Sequence, residues 1–553
     1  MSRVSTVADL VHDRAERAPD IVAFRFLGAR DGDQEDISAS GLYARALALA
    51  SRLDVAPGDR VLILHPPGLG YIAAFFGCLL AGAVPVPAYP PRMNRNLERI
   101  QAIMADCGAS VAVTTAVMAA RLAPEAELAG LRWVAEDAPE AAGPFTPVPV
   151  DPSSLAFLQY TSGSTGTPKG VMVTHANLLA NLAAINERFR LGEQSRGVIW
   201  LPPFHDMGLI GGILAPMSAR FTCVLLAPTT FLVRPSAWIT AVSREHATVS
   251  GGPDFAWALA TRRVSEAVRA TLDLSAWDSA FTGAEPVRPA TLARFTEAFA
   301  PCGFRATSFL PCYGLAEGTL LVSGVANRAG ASTLALSPEA LARMEVAPPT
   351  AESGAVEIVS CGPAAPATEL RIAHPETGAP LAANEVGEIL ARGPSIAAGY
   401  WNRPEATAEG FRDGWLHTGD LGFLADGQLY VTGRKKDLVL LRGRNLYPQD
   451  LEVAAEAAHF DVRGNSSAAF GVEVDGEERL VLVLEVDGRK VPDPGPITDA
   501  VTAAIAQAFD ATVYAVTLLP AGGIPRTSSG KVRRAATRLA WLAGTLTGAD
   551  DEG

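Results

Sequence analysis

Between Tyr160 and Gly170 the chain reads YTSGSTGTPKG, directly after the apolar run Leu155 to Leu158. Three glycines, three threonines and two serines crowd into these eleven residues, and Pro168 and Lys169 stand near the end. Glycines let backbone N–H groups come close to an anion; hydroxyls and one ammonium add donors. That is the chemistry a polyphosphate requires. The spacing is not GxxxxGK[ST], so the loop is not of the Walker type. A Gly/Ser/Thr tract by itself is also what an ordinary flexible loop looks like. The closing Thr-Pro-Lys-Gly, set just after a strand-like run, favours phosphate.

Other polar residues stand at strand-to-helix turns or in loops. His205 and Asp206 lie in WLPPFHDMGL, and taken alone they read as a polar pair capping a turn. Gly283, Ala284, Glu285 and Pro286 lie in FTGAEPV, and Tyr313, Gly314, Leu315, Ala316 and Glu317 in YGLAEGT. Asp420 lies in WLHTGDLGF, Arg434 and Lys436 in VTGRKKD, and Lys531 in the hydroxyl-rich stretch GIPRTSSGKVRR. Alone, Lys531 reads as a solvated surface lysine.

The elements that must position these residues follow from hydrophobic patterning. Through roughly the first 330 residues, strand-length apolar runs (RVLILHP, SVAVTT, GVIWLPP, FTCVLLAP, ATVSGGP) alternate with helical segments such as 180–189 and 289–299. This alternation implies parallel sheets covered by helices. The apolar run 71–89 contains Pro85 and Pro87. Proline breaks a helix interior, so the run reads as a buried helix over 71–81 and a buried strand over 84–86, not as a membrane span. From about Val356, short strands separated by turn residues indicate a small, largely antiparallel region. After Gly433 a further small unit follows, with helices over 446–457 and 497–509 and strands over 467–472, 480–486 and 513–519. The expected architecture is α/β: a large N-terminal domain, residues 1–433, of two parallel-sheet subdomains plus a small β-barrel-like subdomain. A small α+β C-terminal domain, residues 434–553, follows it.

Composition narrows the function classes. A chain of 553 residues exceeds one hydrophobic core and suggests two to four domains. The net charge of −13 argues against a nucleic-acid partner, so cations that meet phosphate must be gathered locally. Six scattered cysteines without a CxxC pair read as reduced, cytoplasmic thiols. The N-terminus lacks the apolar stretch of a signal peptide. No GxSxG occurs, which disfavours an α/β-hydrolase.

Taken in order, TSGSTGTPKG, PPFHDMGL, FTGAEP, YGLAEGT, WLHTGDLG, GRKKD and the late Lys531 resemble the motifs of the adenylate-forming superfamily over roughly residues 7–543. That superfamily comprises acyl-CoA synthetases, fatty acyl-AMP ligases, adenylation domains and luciferases. The resemblance implies ATP and Mg²⁺, with Thr161, Ser162, Gly163, Ser164, Thr165, Gly166 and Lys169 on the phosphates. It implies the 283–286 loop on the adenine side, the Tyr313 ring stacked on adenine and Glu317 on Mg²⁺. Asp420 would accept the ribose hydroxyls, and Arg434 would sit near ribose or phosphate. His205 would lie beside the reacting carboxylate, Lys531 would bridge it to the nucleotide, and Lys436 would be the hinge of a mobile C-terminal domain. Ala316 replaces the hydroxyl residue usual before the glutamate, and Asp254 stands where asparagine is usual.

The stretches LQYTSGSTGTPKGV, WLPPFHDMGLIGG, SGGPDFAW and RGRNLYPQDLE resemble the fatty acyl-AMP ligase branch. So does a long segment around Gly330 to Glu357, at the position of that branch's insertion; the same residues also read as a surface loop of variable length. The branch implies a fatty-acid substrate and a phosphopantetheinylated acyl carrier protein in trans. Motif position suggests Phe231, Phe255 and Trp257 for the acyl pocket. An acyl-CoA or aryl-CoA synthetase shares every step but the acceptor. A peptide-synthetase adenylation domain fits less well, since neither an acidic anchor for an α-amine nor a carrier is found.

Overall fold

The computed structural model describes residues 4–28, 30, 32–91, 97–138, 143–161, 168–350, 354–441, 444–474, 477–487, 493–527 and 530–546. Two sheets dominate its first half. An eight-stranded sheet has a parallel centre built from Val22–Leu27, Thr222–Leu226, Arg196–Ile199, Val249–Gly252, Ser279–Thr282 and Phe309–Gly314, with an antiparallel strand at each edge. A four-stranded parallel sheet is centred on Arg60–Ile63 and Val111–Thr114. Helices cover both sheets, as parallel connections demand. The helix Leu69–Leu80 is buried on every side, and Val84–Pro87 follows it as an edge strand of the second sheet. Pro85 and Pro87 are tolerated at this edge, where a missing N–H costs no ladder bond.

A hairpin, Leu155–Thr161 against Lys169–Thr174, joins these sheets, and Thr161 faces Lys169 at its open end. Gly170 is required there, because a Cβ would lie 2.9 Å from the Tyr160 ring. A five-stranded antiparallel sheet follows, from Glu369–Ala373 to Gln428–Arg434. It is the antiparallel region read from the turn-rich sequence.

Beyond Val439 the chain builds hydrophobic clusters from its own residues, between the strands Val462–Val474, Glu477–Val486 and Val513–Pro520 and the helices Pro448–Ala458 and Pro494–Phe509. The segment read as an insertion is folded: Thr333–Leu336 pairs antiparallel with Val356–Val359, with the short helix Pro338–Ala342 between them. Among the described residues no helix is long and apolar enough to cross a membrane.

Candidate active site

The site forms where the central parallel strands end. Three of these strands hand the chain at their C-terminal ends to turns that carry polar groups. After Arg196–Ile199 comes His205–Asp206, then a wide π-type turn over Met207–Leu214. Such turns are rare and recur at functional sites. After Ser279–Thr282 comes Glu285, and after Phe309–Gly314 comes Glu317. A continuous cavity of about 3510 Å³ runs between these turns and the C-terminal unit. Thr161, Lys169, His205, Glu285, Tyr313, Glu317, Asp420, Arg434, Lys436 and Lys531 all line it.

Lys531 reaches the cavity on a short loop from the C-terminal unit. Its backbone N–H donates to Thr527 Oγ1 at 3.0 Å. Gly530 packs on the Phe255 ring, with a φ of +93° and no room for a Cβ, which would lie 2.7 Å from that ring. Only glycine meets both demands. Burial pulls the Lys531 ammonium down from its ordinary value; Asp206 and Glu285 oppose this. Burial also raises both carboxyls, with Lys531 opposing. The Phe255 N–H donates to Glu285 Oε1 at 2.7 Å. Burial lowers His205 to about 3, and Lys531 and Arg99 add to the effect, so the ring is neutral at physiological pH. A neutral imidazole beside a lysine cation suits an anionic ligand.

On the side of the cavity formed by the antiparallel sheet, the Tyr313 hydroxyl donates to Asp420 Oδ2 at 2.7 Å, and Arg434 Nε donates to Oδ1 at 3.0 Å. Burial raises the Asp420 carboxyl, and Arg434 counteracts it. Ring, carboxylate and guanidinium are thus fixed as one unit before any ligand enters. The Tyr400 hydroxyl donates to Glu317 Oε1 at 2.7 Å, and Lys169 Nζ lies 5.1 Å from the centre of the Tyr400 ring. Tyr400 therefore connects Lys169 to Glu317. No motif in the sequence marked it. Ser162, Gly163, Ser164, Thr165 and Gly166 lie outside the described residues.

The aromatic residues separate into two groups. Phe255 lines the cavity, but Phe231 and Trp257 do not. Phe231 stacks on Trp200 with ring centres 3.8 Å apart, and Trp257 packs edge-on against Trp238, Phe295 and Phe309. Both are fully buried core side chains, so of the three aromatic residues expected for the acyl pocket Phe255 alone lines the cavity. The apolar walls come instead from residues the sequence did not single out, among them Met207, Gly211 and Phe221.

Asp254 is not a surface oddity. Its carboxylate accepts from the Arg288 N–H and the Thr291 hydroxyl, each at 2.9 Å. Arg288 in turn pairs with Glu456 of the C-terminal unit at 2.5 Å.

Residues 11–401 match the family described as AMP-binding enzyme. The chain belongs to this family. Over 98% of its length, it is 40% identical to a medium-chain-fatty-acid–[acyl-carrier-protein] ligase, JamA, of Moorena producens, covering 96% of that protein. Over the same share it is 38% identical to a long-chain-fatty-acid–AMP ligase, FadD32, of Mycolicibacterium smegmatis, covering 95% of it. A solved fatty acyl-adenylate ligase from Legionella pneumophila, in complex with acyl adenylate and pyrophosphate, superposes with a TM-score of 0.77 at 36% identity, over 98% of this chain and 96% of that one. As an AMP-binding enzyme, the chain is an AMP-forming ligase that uses ATP.

Proposed function

We propose that this chain activates a fatty acid as its acyl-adenylate and then passes the acyl group to the phosphopantetheine thiol of a separate acyl carrier protein. The observation that carries the reading is Lys531, held in the cavity beside His205, Asp206 and Glu285. A carboxylate oxygen attacks the α-phosphorus of ATP. The bond from that phosphorus to the bridging oxygen breaks, and pyrophosphate leaves. The substrate is itself the nucleophile, so the enzyme contributes positioning and charge stabilisation. Lys531 bridges the attacking carboxylate and the nucleotide. Tyr313, Asp420 and Arg434 hold adenine and ribose, while Lys169 and the loop 161–166 hold phosphates.

Glu317 would hold Mg²⁺; one carboxylate completed by substrate phosphates and water is a usual site for that ion. When bound, it neutralises charge on the leaving pyrophosphate. Tyr400 orients the Glu317 carboxylate for this task.

In the second half-reaction the thiolate sulfur attacks the acyl carbon, the bond to the AMP oxygen breaks, and the thiol proton passes to solvent. We assign the domain boundary to Gly433/Arg434 and the hinge to Lys436, which lies in a one-turn helix directly after the last strand of the antiparallel sheet. The carrier is favoured over CoA by the folded insertion. Tyr447 Oη donates to Leu341 O at 3.4 Å, and Leu336, Leu341 and Tyr447 share one hydrophobic cluster, so the insertion grips the chain just past the hinge. The names of JamA and FadD32 support a fatty acid as substrate, and that of JamA a carrier as acceptor. Six free thiols suit a reducing cytoplasm.

An acceptor competition tests this. Enzyme, ATP, Mg²⁺ and decanoic acid are offered CoA, a holo acyl carrier protein, or both. Acyl-carrier without acyl-CoA is expected; ready acyl-CoA formation makes the chain a CoA synthetase.

A further inference from the structure

Apolar residues line the cavity at both ends of the central parallel strands. We read this lining as one arm that starts at Met207 and Gly211, next in the chain to His205, and reaches Gly197, Val249, Pro216 and Phe221. Gly197 and Val249 stand at the N-terminal starts of strands whose C-terminal ends carry the site. The arm is therefore about one strand long. Four residues at about 3.3 Å each give roughly 13 Å, room for about ten extended methylene groups.

Pro216 and Phe221 flank the turn that closes this end, between the helix Ala215–Ala219 and the strand Thr222–Leu226. Arg14, on the helix Val7–Arg17, lies behind that turn and is 1% exposed. Its Nη1 donates to Pro216 O at 3.1 Å and its Nη2 to Phe221 O at 2.9 Å. Among the described residues no carboxylate pairs with it. The adjacent Asp13 is taken by Arg17 at 2.7 Å and by Arg220 at 3.9 Å. A buried guanidinium without a counter-ion must keep its carbonyl partners, because losing either leaves a charge uncompensated. The turn is thereby pinned from behind by two charge-assisted bonds.

Granted the fatty-acid reading above, we propose that Arg14 pins the Pro216–Phe221 turn as the floor of the acyl channel and so limits the substrate to medium-chain acids of about ten to twelve carbons. Arg14 touches no substrate; it is a positioning residue. Gly211 provides an independent probe of the same channel. A Cβ there would meet only Leu320 Cδ2, at 3.7 Å, so a side chain can enter the arm without moving the backbone.

The test measures pyrophosphate release with even-numbered saturated acids from six to eighteen carbons, using wild type, Gly211→Leu, Phe221→Ala and Arg14→Met. In wild type, kcat/KM should climb about fourfold per buried methylene, peak near ten to twelve carbons, and fall at least tenfold by sixteen. Gly211→Leu should move the optimum down to six or eight carbons. Phe221→Ala should move it up by two to four. Arg14→Met should improve sixteen carbons relative to ten by at least tenfold, through KM more than kcat, with a thermal melt confirming that it folds. Should Arg14→Met not fold, Arg14→Lys, which has one donor nitrogen in place of the two used here, takes its place, with the same shift expected and an unchanged profile overturning the pin. A wild type that uses sixteen- and eighteen-carbon acids as well as twelve overturns the floor alone, as do folded variants with the wild-type profile. A wild type that releases pyrophosphate with none of these acids overturns the fatty-acid reading itself, and the floor with it.

Discussion

At Lys531, burial of an ammonium is opposed by Asp206 and Glu285, and under the proposed function this group meets the reacting carboxylate. Lys531→Ala should lower acyl-adenylate formation by about 10²–10³-fold, as removal of one preorganised donor to a charged transition state does. Fatty-acid-dependent ATP–pyrophosphate exchange checks it, and unchanged exchange removes Lys531 from the chemistry. Asp254 gives a prediction in pH. Burial, and then the neighbouring Glu285, raise its carboxyl to about 7. The unfolded chain releases that proton near pH 4. The native state thus binds the proton more tightly, and its stability, full below about pH 4, is lost progressively as pH rises to about 7. Asp254→Asn removes the titration. Its melting temperature should exceed that of wild type at pH 8, and the gap should narrow as pH is lowered to 5. A constant gap contradicts this account. The cavity residues that the sequence singled out stand in short linear motifs: His205, Glu317, Asp420, Lys531. Those that were not act across long separations, 83 residues for Tyr400 and Glu317 and 202 for Arg14 and Pro216. No local spacing announces such a pair.

Among elements, the strand and helix pattern was readable because burial imposes period and length. The helix Pro289–Phe299 has the expected bounds. The helix ending at Phe189 starts at His175, five residues earlier than apolar periodicity suggested, because Thr174 and Asn177 form a capping box. The strand expected over 467–472 extends to Val462–Val474, where charged and small residues on its exposed stretches obscure the alternation. Phe231 and Trp257 were misread for a related reason: an aromatic residue near a motif looks the same in sequence whether it lines a cavity or fills a core.

Two contacts between elements have measurable consequences. The Arg288–Glu456 pair joins the turn after Glu285 to the helix Pro448–Ala458. A double-mutant cycle of Arg288→Met and Glu456→Gln on the adenylation rate should show coupling of about 1–2 kcal/mol; strict additivity would mean that this contact does not hold the Lys531 loop in the cavity. Tyr447→Ala should loosen the insertion from the chain past the hinge and raise CoA thioester formation several-fold relative to wild type. An unaltered product ratio contradicts a restraining insertion.

Over the whole molecule, the eight-stranded sheet and the five-stranded antiparallel sheet contribute walls of the cavity, and the C-terminal unit supplies Lys531 to it. Against a net charge of −13, Lys169, Arg434 and Lys531 are gathered in one cavity, and the proposed function uses them to admit a triphosphate. ATP should stabilise the fold by about 2.7 kcal/mol at a hundredfold excess over Kd. Asp420→Ala should abolish most of the corresponding rise in melting temperature. The most direct measurement is mass spectrometry of the products formed from ATP, Mg²⁺ and decanoic acid with no acceptor present. Decanoyl-AMP and pyrophosphate in wild type, both missing with Lys531→Ala, are the expected result. ATP consumed to ADP and phosphate, or no adenylate from any fatty acid, would contradict the assignment of this cavity to acyl-adenylate chemistry.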